Sequence, residues 1–304
     1  MRLEAIALPM VRLALTEDVG GGDATTDAVV DPSARARAHI ESKHEGILAG
    51  SGVAALAFRE LDPEMKIAWA SPDGGPVPRG APVATLEGKA RAILTAERVA
   101  LNFLQHLSGI ATLAAAFVKA VEGTGVQILD TRKTTPGLRV LEKYAVLAGG
   151  AMNHRFGLFD GVLVKENHAR AAGGLKEAVE RAKRSAHPKK LPVVVEVRTV
   201  EEALEVAALN VDRILLDNFT PGKIADVVKR LGLGRKAPRA RGKSGAPDAG
   251  GGAPGGAPEI EVSGGVRLAN VREFALPGVS YISIGALTHS APALDLSLLV
   301  DEAL

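Results

Sequence analysis

The chain of 304 residues contains no cysteine. That excludes disulfides and thiolate metal ligands and fits a cytosolic protein. Aromatic residues make up 3%, too few for the stacking platforms that grip single-stranded nucleic acid. Net charge is only +2, so the bulk charge does not suggest nucleic acid either. No apolar run approaches the length needed to cross a bilayer. The N-terminal stretch MRLEAIALPMVRLALTED is too acidic and too helix-like for a signal peptide. The expectation is a cytoplasmic protein with no membrane or nucleic-acid partner, whose 46% hydrophobic residues fill a sizeable core.

What is present is concentrated in residues 128–168, ILDTRKTTPGLRVLEKYAVLAGGAMNHRFGLFDGVLVKENH. Arg132, Lys133, Arg139, His154, Arg155, Lys165 and His168 sit beside turn residues or at the ends of apolar runs. A solvated helix face would spread such charges at helical spacing. Short apolar runs bounded by turn signals predict buried strands. Cations at the carboxyl ends of buried parallel strands belong to the working face of an α/β barrel. Such a face is strongly positive, so its ligand carries several negative charges.

Before this stretch the pattern is that of a small α+β unit. Residues 3–17 read as a helix, and Asp18-Val19-Gly20-Gly21-Gly22-Asp23 as a turn-rich loop. Residues 35–49 read as a half-exposed strand, 50–61 as a helix, and 65–70 and 82–86 as strands. Thr95 is a plausible N-cap of a helix that holds Arg98 in its first turn. A second helix, 110–121, is expected after a break at Ser108-Gly109. From there strands alternate with helices. Strands are expected at 126–130, 161–165, 193–197, 213–217, 259–262 and 279–284, with helices at 174–185, 200–208 and 221–231. A seventh strand could lie near His154-Arg155. This alternation predicts a parallel sheet with right-handed crossovers, and six or seven strands favour a barrel over an open sheet. Residues 234–258 differ: of 25 residues eight are Gly, four Pro and five Lys or Arg. They read as a disordered basic insertion between a helix and the next strand.

Two acids end strands as the cations do, Glu196 and Asp217. They could cap the following loops or pair with basic residues, hydrogen-bond sugar hydroxyls, or hold a hard cation such as Mg²⁺ that keeps waters and bridges phosphates. The last two strands run into Ser263-Gly264-Gly265 and Ser283-Ile284-Gly285. Glycine lets backbone N–H groups approach an anion closely, and barrels often seat a phosphate at their last two strands.

DTRKTTPGLR, GGAMNHRFGLFD, VKENH, VEV, LLDN, VSGG and ISIG, in that order, resemble quinolinate phosphoribosyltransferases over nearly the whole chain. The resemblance implies an α/β protein: an N-terminal α+β sandwich domain over 1–107, to which the tail 287–304 returns, and an incomplete, seven-stranded α/β barrel over 108–286. It implies phosphoribosyl transfer from phosphoribosyl pyrophosphate to quinolinate, giving nicotinate mononucleotide, pyrophosphate and CO₂ in de novo NAD biosynthesis, with Mg²⁺. By the same resemblance Arg98, Arg132, Arg155 and His154 match the quinolinate pocket. Thr131 falls in the same pocket run, and Lys133 and Lys165 match the lysines near phosphate and pyrophosphate. Glu196 and Asp217 match the acids at ribose and metal. Ser263, Gly264, Gly265, Ser283, Ile284 and Gly285 match the ribose 5-phosphate loops. Lys133, Lys165, Glu196 and Asp217 are the expected catalytic set. Family members are homodimers or hexamers built as trimers of dimers, with Arg98 reaching the neighbour's site. Nicotinate phosphoribosyltransferase, a molybdenum-linked paralogue and a non-catalytic sensor of sugar phosphates are the competing readings.

Overall fold

The computed structural model describes residues 3–233 and 257–304. The insertion read at 234–258 lies outside the described residues except for its last two positions. In chain order the first elements are α1 (Leu3–Val19), α2 (Ala24–Val29), β1 (Arg35–Ser42), β2 (Gly46–Ile47), α3 (Ser51–Leu61), β3 (Lys66–Trp69), β4 (Pro76–Val77), β5 (Pro82–Lys89) and α4 (Ala90–Ala120). Next come β6 (Gln127–Leu129), α5 (Arg139–Ala148), β7 (Val162–Val164), α6 (Glu166–Ala172), α7 (Leu175–Ala186), β8 (Val193–Val197), α8 (Val200–Ala208), β9 (Arg213–Asp217) and α9 (Pro221–Arg230). The last are β10 (Glu259–Ser263), α10 (Val271–Phe274), β11 (Tyr281–Ser283), α11 (Ala286–His289) and β12 (Leu296–Ala303). The chain divides into two compact units. One comprises Met1–Ala115, Thr135–Gly150 and Thr288–Leu304, the other Ala116–Thr134 and Ala151–Leu287.

The first unit holds a four-stranded antiparallel sheet in the order β12-β1-β5-β3. The C-terminal strand β12 pairs with β1. Along β1 the side chains of Ala36, Ala38, Ile40 and Ser42 alternate inward, as a strand with one buried face requires. Helix α1 packs on α3, whose Phe58 is fully buried. Asp23, from the glycine-rich loop, accepts from Thr26 N–H and so caps α2.

Helix α4 corrects two expectations. It starts at Ala90, directly after β5, so Thr95 is interior and Arg98 lies in the third turn. The Thr95 hydroxyl donates to Asp23 Oδ2 instead of capping its own helix. Nor does the helix break at Ser108-Gly109. The Ser108 hydroxyl exchanges hydrogen bonds with the main chain of Ala49. A Cβ on Gly109 would lie 2.1 Å from the Pro292 carbonyl. Gly109 is therefore a point of close approach, not a helix end. Running α4 unbroken also overturns the expectation about apolar runs. By length and composition it could cross a membrane, yet half of its most apolar stretch is buried inside the fold.

The second unit is organised by a parallel sheet in the order β6-β11-β10-β9-β8-β7. All six expected strands are present, and β8, β9 and α8 have the expected bounds. Local signals explain this accuracy. Thr199 and Glu202 form a capping box at α8, and the Thr220 hydroxyl caps α9 ahead of Pro221. The seventh strand shrinks to one parallel bridge, Leu129 to Met152. Met152 N–H donates to Ile128 O and Asp130 N–H to Met152 O. Among the described residues no pairing joins Met152 to β7, so the barrel is incomplete, with a gap between this bridge and β7. Ile214, Leu216, Ile260, Val262 and Ile282 are fully buried. Strand alternation puts Arg213, Asp217, Glu259, Glu261 and Ser263 on the opposite side of the sheet from them.

Candidate active site

Strand register brings the expected residues of the second unit to one end of the sheet. Ser263 stands beside Asp217 on one side and Ser283 on the other, and Ser283 stands beside Leu129. One row lower, Glu196 faces Leu215, which faces Glu261, which faces Tyr281. A parallel sheet with this register aligns its carboxyl ends, so side chains far apart in sequence share a rim.

At the β6 end, Asp130 is fully buried, and its Oδ1 accepts from His154 N–H at 2.8 Å. The Thr131 hydroxyl accepts from Lys133 N–H at 3.0 Å, which tightens the turn that presents Arg132 and Lys133. His154 is mostly buried. Its Nδ1 accepts from Arg155 N–H at 2.7 Å, and its Nε2 lies 3.4 Å from Glu261 Oε1. The Arg155 guanidinium donates to Gly161 O at 3.0 Å. Asp160 accepts from Phe156 N–H and Gly157 N–H and closes the turn beyond it. Burial, and after it the positive charge of Arg132, pull Arg155 below its ordinary value, partly offset by Asp160. Two guanidiniums near enough to repel each other make a site that favours an anion.

On the next strands Lys165, the residue after β7, is ion-paired with Glu196. Lys165 N–H donates to His168 Nδ1, so His168 fixes the loop at the start of α6. Arg198, just past β8, pairs with Glu166 and stands 3.6 Å from Asp217 Oδ2. A cleft of about 580 Å³ opens beside Glu196, lined also by Glu166, Arg170, Arg198 and Glu202. At the last two strands Gly264 and Gly265 have φ of +89° and +68°. A Cβ on Gly264 would meet Asn218 at 2.3 Å, so a side chain at that position would collide with it. The Ile284 N–H donates to Leu129 O in the ladder, which leaves it engaged with the sheet.

The structure thus gathers Thr131, Arg132, Lys133, His154, Arg155, Lys165, Glu196, Asp217, Ser263, Gly264, Gly265, Ser283, Ile284 and Gly285 in one unit. Arg98 and Arg139 belong to the other. Arg98 is exposed on α4, 3.8 Å from Glu97. The sequence reading passed over Asp130, Glu166, Arg198, Arg213 and Glu261. The signal for the last two was charge inside otherwise apolar strands, Arg213 in RILLD and Glu261 in EIEVS.

The residues 110–299 match the model of the quinolinate phosphoribosyl transferase C-terminal domain, and 23–108 match that of the N-terminal domain. The chain belongs to the quinolinate phosphoribosyl transferase family. It is 41% identical over 305 residues to a protein of Nicotiana glauca named quinolinate phosphoribosyltransferase [decarboxylating] 1, spanning 97% of this chain and 82% of the relative. It is 38% identical over 282 residues to a probable nicotinate-nucleotide pyrophosphorylase [carboxylating] of Bacillus subtilis, spanning 93% of this chain and 89% of the relative. The solved nicotinate-nucleotide pyrophosphorylase of Francisella tularensis superposes with a TM-score of 0.86 at 38% identity, over 99% of this chain and 98% of that one. This family membership accounts for the α/β architecture with an N-terminal unit and a parallel-sheet C-terminal unit.

Metal capacity follows from the acids. Among the described residues no group of three or more His, Asp or Glu could hold an ion. Glu196 and Asp217, on neighbouring strands, supply two carboxylates. That number fits a Mg²⁺ which keeps waters and is completed by substrate phosphates. Each acid already faces a cation, Lys165 or Arg198.

Proposed function

We propose that this chain is a carboxylating nicotinate-nucleotide pyrophosphorylase, a pentosyltransferase acting on quinolinate and phosphoribosyl pyrophosphate. The observation that carries the reading is the set of cations Arg132, Lys133, Arg155 and Lys165 gathered in the parallel-sheet unit of a chain of this family. Quinolinate has two adjacent carboxylates, and Arg recognises carboxylate with paired donors. Arg132 and Arg155 bind the acid, with His154 lining the pocket. Lys133 and Lys165 face phosphate and pyrophosphate oxygens. The turns Ser263-Gly264-Gly265 and Ser283-Ile284-Gly285 border the 5-phosphate. Glu196 and Asp217 would hold Mg²⁺, which supplies charge neutralisation on the departing pyrophosphate.

The quinolinate nitrogen bonds to the anomeric carbon as the bond from that carbon to pyrophosphate breaks. Positive charge builds on the sugar and negative charge on the leaving group. Pre-arranged Lys and Arg side chains lower the energy of that separation most when they need no reorganisation. The carboxylate beside the ribosylated nitrogen then leaves as CO₂. The ring cation stabilises the electron pair left on the carbon, which takes a proton.

We further infer a cytosolic enzyme in de novo NAD biosynthesis that acts as a homodimer or as a hexamer built from three dimers, Arg98 completing the site of a second copy. Its exposure on α4 supports this reading. A turnover assay decides the substrate. CO₂ and pyrophosphate should be released from quinolinate, phosphoribosyl pyrophosphate and Mg²⁺, with little reaction on nicotinate. Equal rates on both acids would overturn the dicarboxylate reading.

A further inference from the structure

Arg213, Glu259 and Glu261 lie within the parallel sheet, below its carboxyl end. Arg213 in β9 stands directly across from Glu259 in β10, and Glu261 stands across from Leu215. Glu261 is fully buried. The Arg213 guanidinium donates to Glu261 Oε2 at 3.0 Å and to Glu259 Oε2 at 3.3 Å. Its carbon lies 3.9 Å from the centre of the Tyr281 ring, so the cation is held on three sides. Burial alone would raise the Glu261 pKa. Hydrogen bonding from His154 and Ser283 and the positive charge of Arg213 outweigh it and bring the carboxyl well below its ordinary range. Glu261 is therefore a buried anion with one oxygen fixed by Arg213.

Its other oxygen, Oε1, has no hydrogen-bond partner in good geometry among the described residues. His154 Nε2 stands 3.4 Å from it. On the far side of the ring, Nδ1 accepts from Arg155 N–H at 2.7 Å. A backbone N–H only donates, so Nδ1 carries no proton. The ring proton then sits on Nε2, toward Glu261, in the arrangement by which a second partner selects a histidine tautomer. The main chain of His154 is fixed as well, through Asp130. Both ring nitrogens are thus turned to protein groups.

We propose that Glu261, held by Arg213, is a positioning residue for the acid-binding pocket: it sets the His154 tautomer, and the Nδ1 of His154 then fixes the main chain of Arg155 and so the aim of its guanidinium. His154 serves the pocket through Arg155 and gives no N–H of its own to the ligand. The inference rests on the functional reading above for the identity of that ligand.

The test has two readouts. One is the tautomer of His154 in protein labelled with ¹⁵N-histidine, assigned by its loss in His154→Gln. The other is the pair of KM values for quinolinate and phosphoribosyl pyrophosphate. Wild type should show a neutral ring protonated at Nε2. Glu261→Gln keeps one acceptor oxygen; with that oxygen toward His154 and Arg213 resting on Glu259, it should keep the tautomer, with the quinolinate KM within about threefold of wild type. The variant Glu261→Leu with Arg213→Met removes the charges as a pair, which buried ion pairs tolerate better than loss of one member. It should lose the preference for Nε2–H. Because small misplacements of a binding group are costly, its quinolinate KM should rise about tenfold to a hundredfold while the KM for phosphoribosyl pyrophosphate stays within about twofold.

A folded double variant with an unchanged tautomer and an unchanged quinolinate KM would overturn the proposal. So would an equal rise in both KM values, or a wild-type ring protonated at Nδ1. A wild-type enzyme inactive on quinolinate would defeat the functional reading instead, while the tautomers would still decide whether Glu261 sets the ring.

Discussion

Lys165 and Glu196 stand at the ends of adjacent parallel strands and are joined by a salt bridge. Glu196 is the more buried of the two, with 11% of its side chain exposed against 45% for Lys165. Removing Lys165 leaves that carboxylate without its cation and takes a positive charge from the leaving group. Truncating one member of such a pair costs about 2–5 kcal/mol, so Lys165→Ala should lower kcat/KM by at least about 30-fold. Glu196→Gln should lower it similarly. The double variant should be little worse than the worse single one, because contacting groups do not act independently. Steady-state kinetics on all four proteins checks this, and losses that multiply would mean the two side chains work separately.

Arg132 should trade stability for binding. Its charge opposes that of Arg155, and Arg155 is exposed enough for solvent to weaken the repulsion. Relief of that repulsion in Arg132→Ala should be worth at most about 2 °C in Tm, since partly screened pairs are worth under about 1 kcal/mol. The same variant should raise the quinolinate KM by at least about tenfold, the scale of one lost Arg–carboxylate contact. A scanning calorimetry run beside the kinetic assay decides it. A fall in Tm of several degrees would show that Arg132 is a structural residue.

Arg98 gives a test of assembly. If it completes a second copy's site, Arg98→Ala and Lys133→Ala chains should each be nearly inactive and should complement each other when refolded together. Under random pairing half the dimers are mixed and one of their two sites is intact. Recovered activity should then reach about a quarter of wild type, as the symmetry of a two-fold interface requires. No recovery in demonstrated mixed dimers would assign Arg98 to its own chain.

The pH dependence of stability should report Glu261. Its folded pKa lies below the unfolded value, so its contribution is complete above that unfolded value. The contribution is lost as pH falls toward the folded pKa. The Tm advantage of wild type over Glu261→Gln should therefore narrow as the pH is lowered from about 5 to about 3. A constant difference across that range would place the effect in packing, not in charge.

These predictions draw on residues that differ in how readily the sequence reveals them. The strands at 193–197 and 213–217 and the helix at 200–208 were legible because apolar runs and a Thr/Glu cap are local signals. The strand-end cations and acids were legible because charge directly after such a run has few structural uses. Helix α4 was not, because Ser108 and Gly109 are locally helix breakers. What makes them fit is Ala49 and the Pro292 carbonyl, both remote in sequence. Arg213 and Glu261 were missed for a related reason. Their meaning depends on register, which sets Glu261 beside Tyr281 and Leu215. Arg198 carried no signal beyond being one more charge in a loop, and its pairing with Glu166 and Asp217 is a product of the fold.

The unpaired side of β7 gives the barrel a seam. Val162–Val164 has the ladder of β8 on one flank and, among the described residues, no strand on the other. Edge backbone of this kind opens before the interior of a sheet does. Amide exchange should accordingly be fastest at β7 and slowest at β9 and β10, which are paired on both sides. Lys165 directly follows that edge strand. Among the cations at the strand ends it is the one whose backbone is held by a side chain of the next helix, through His168 Nδ1, where a neighbouring strand would otherwise hold it.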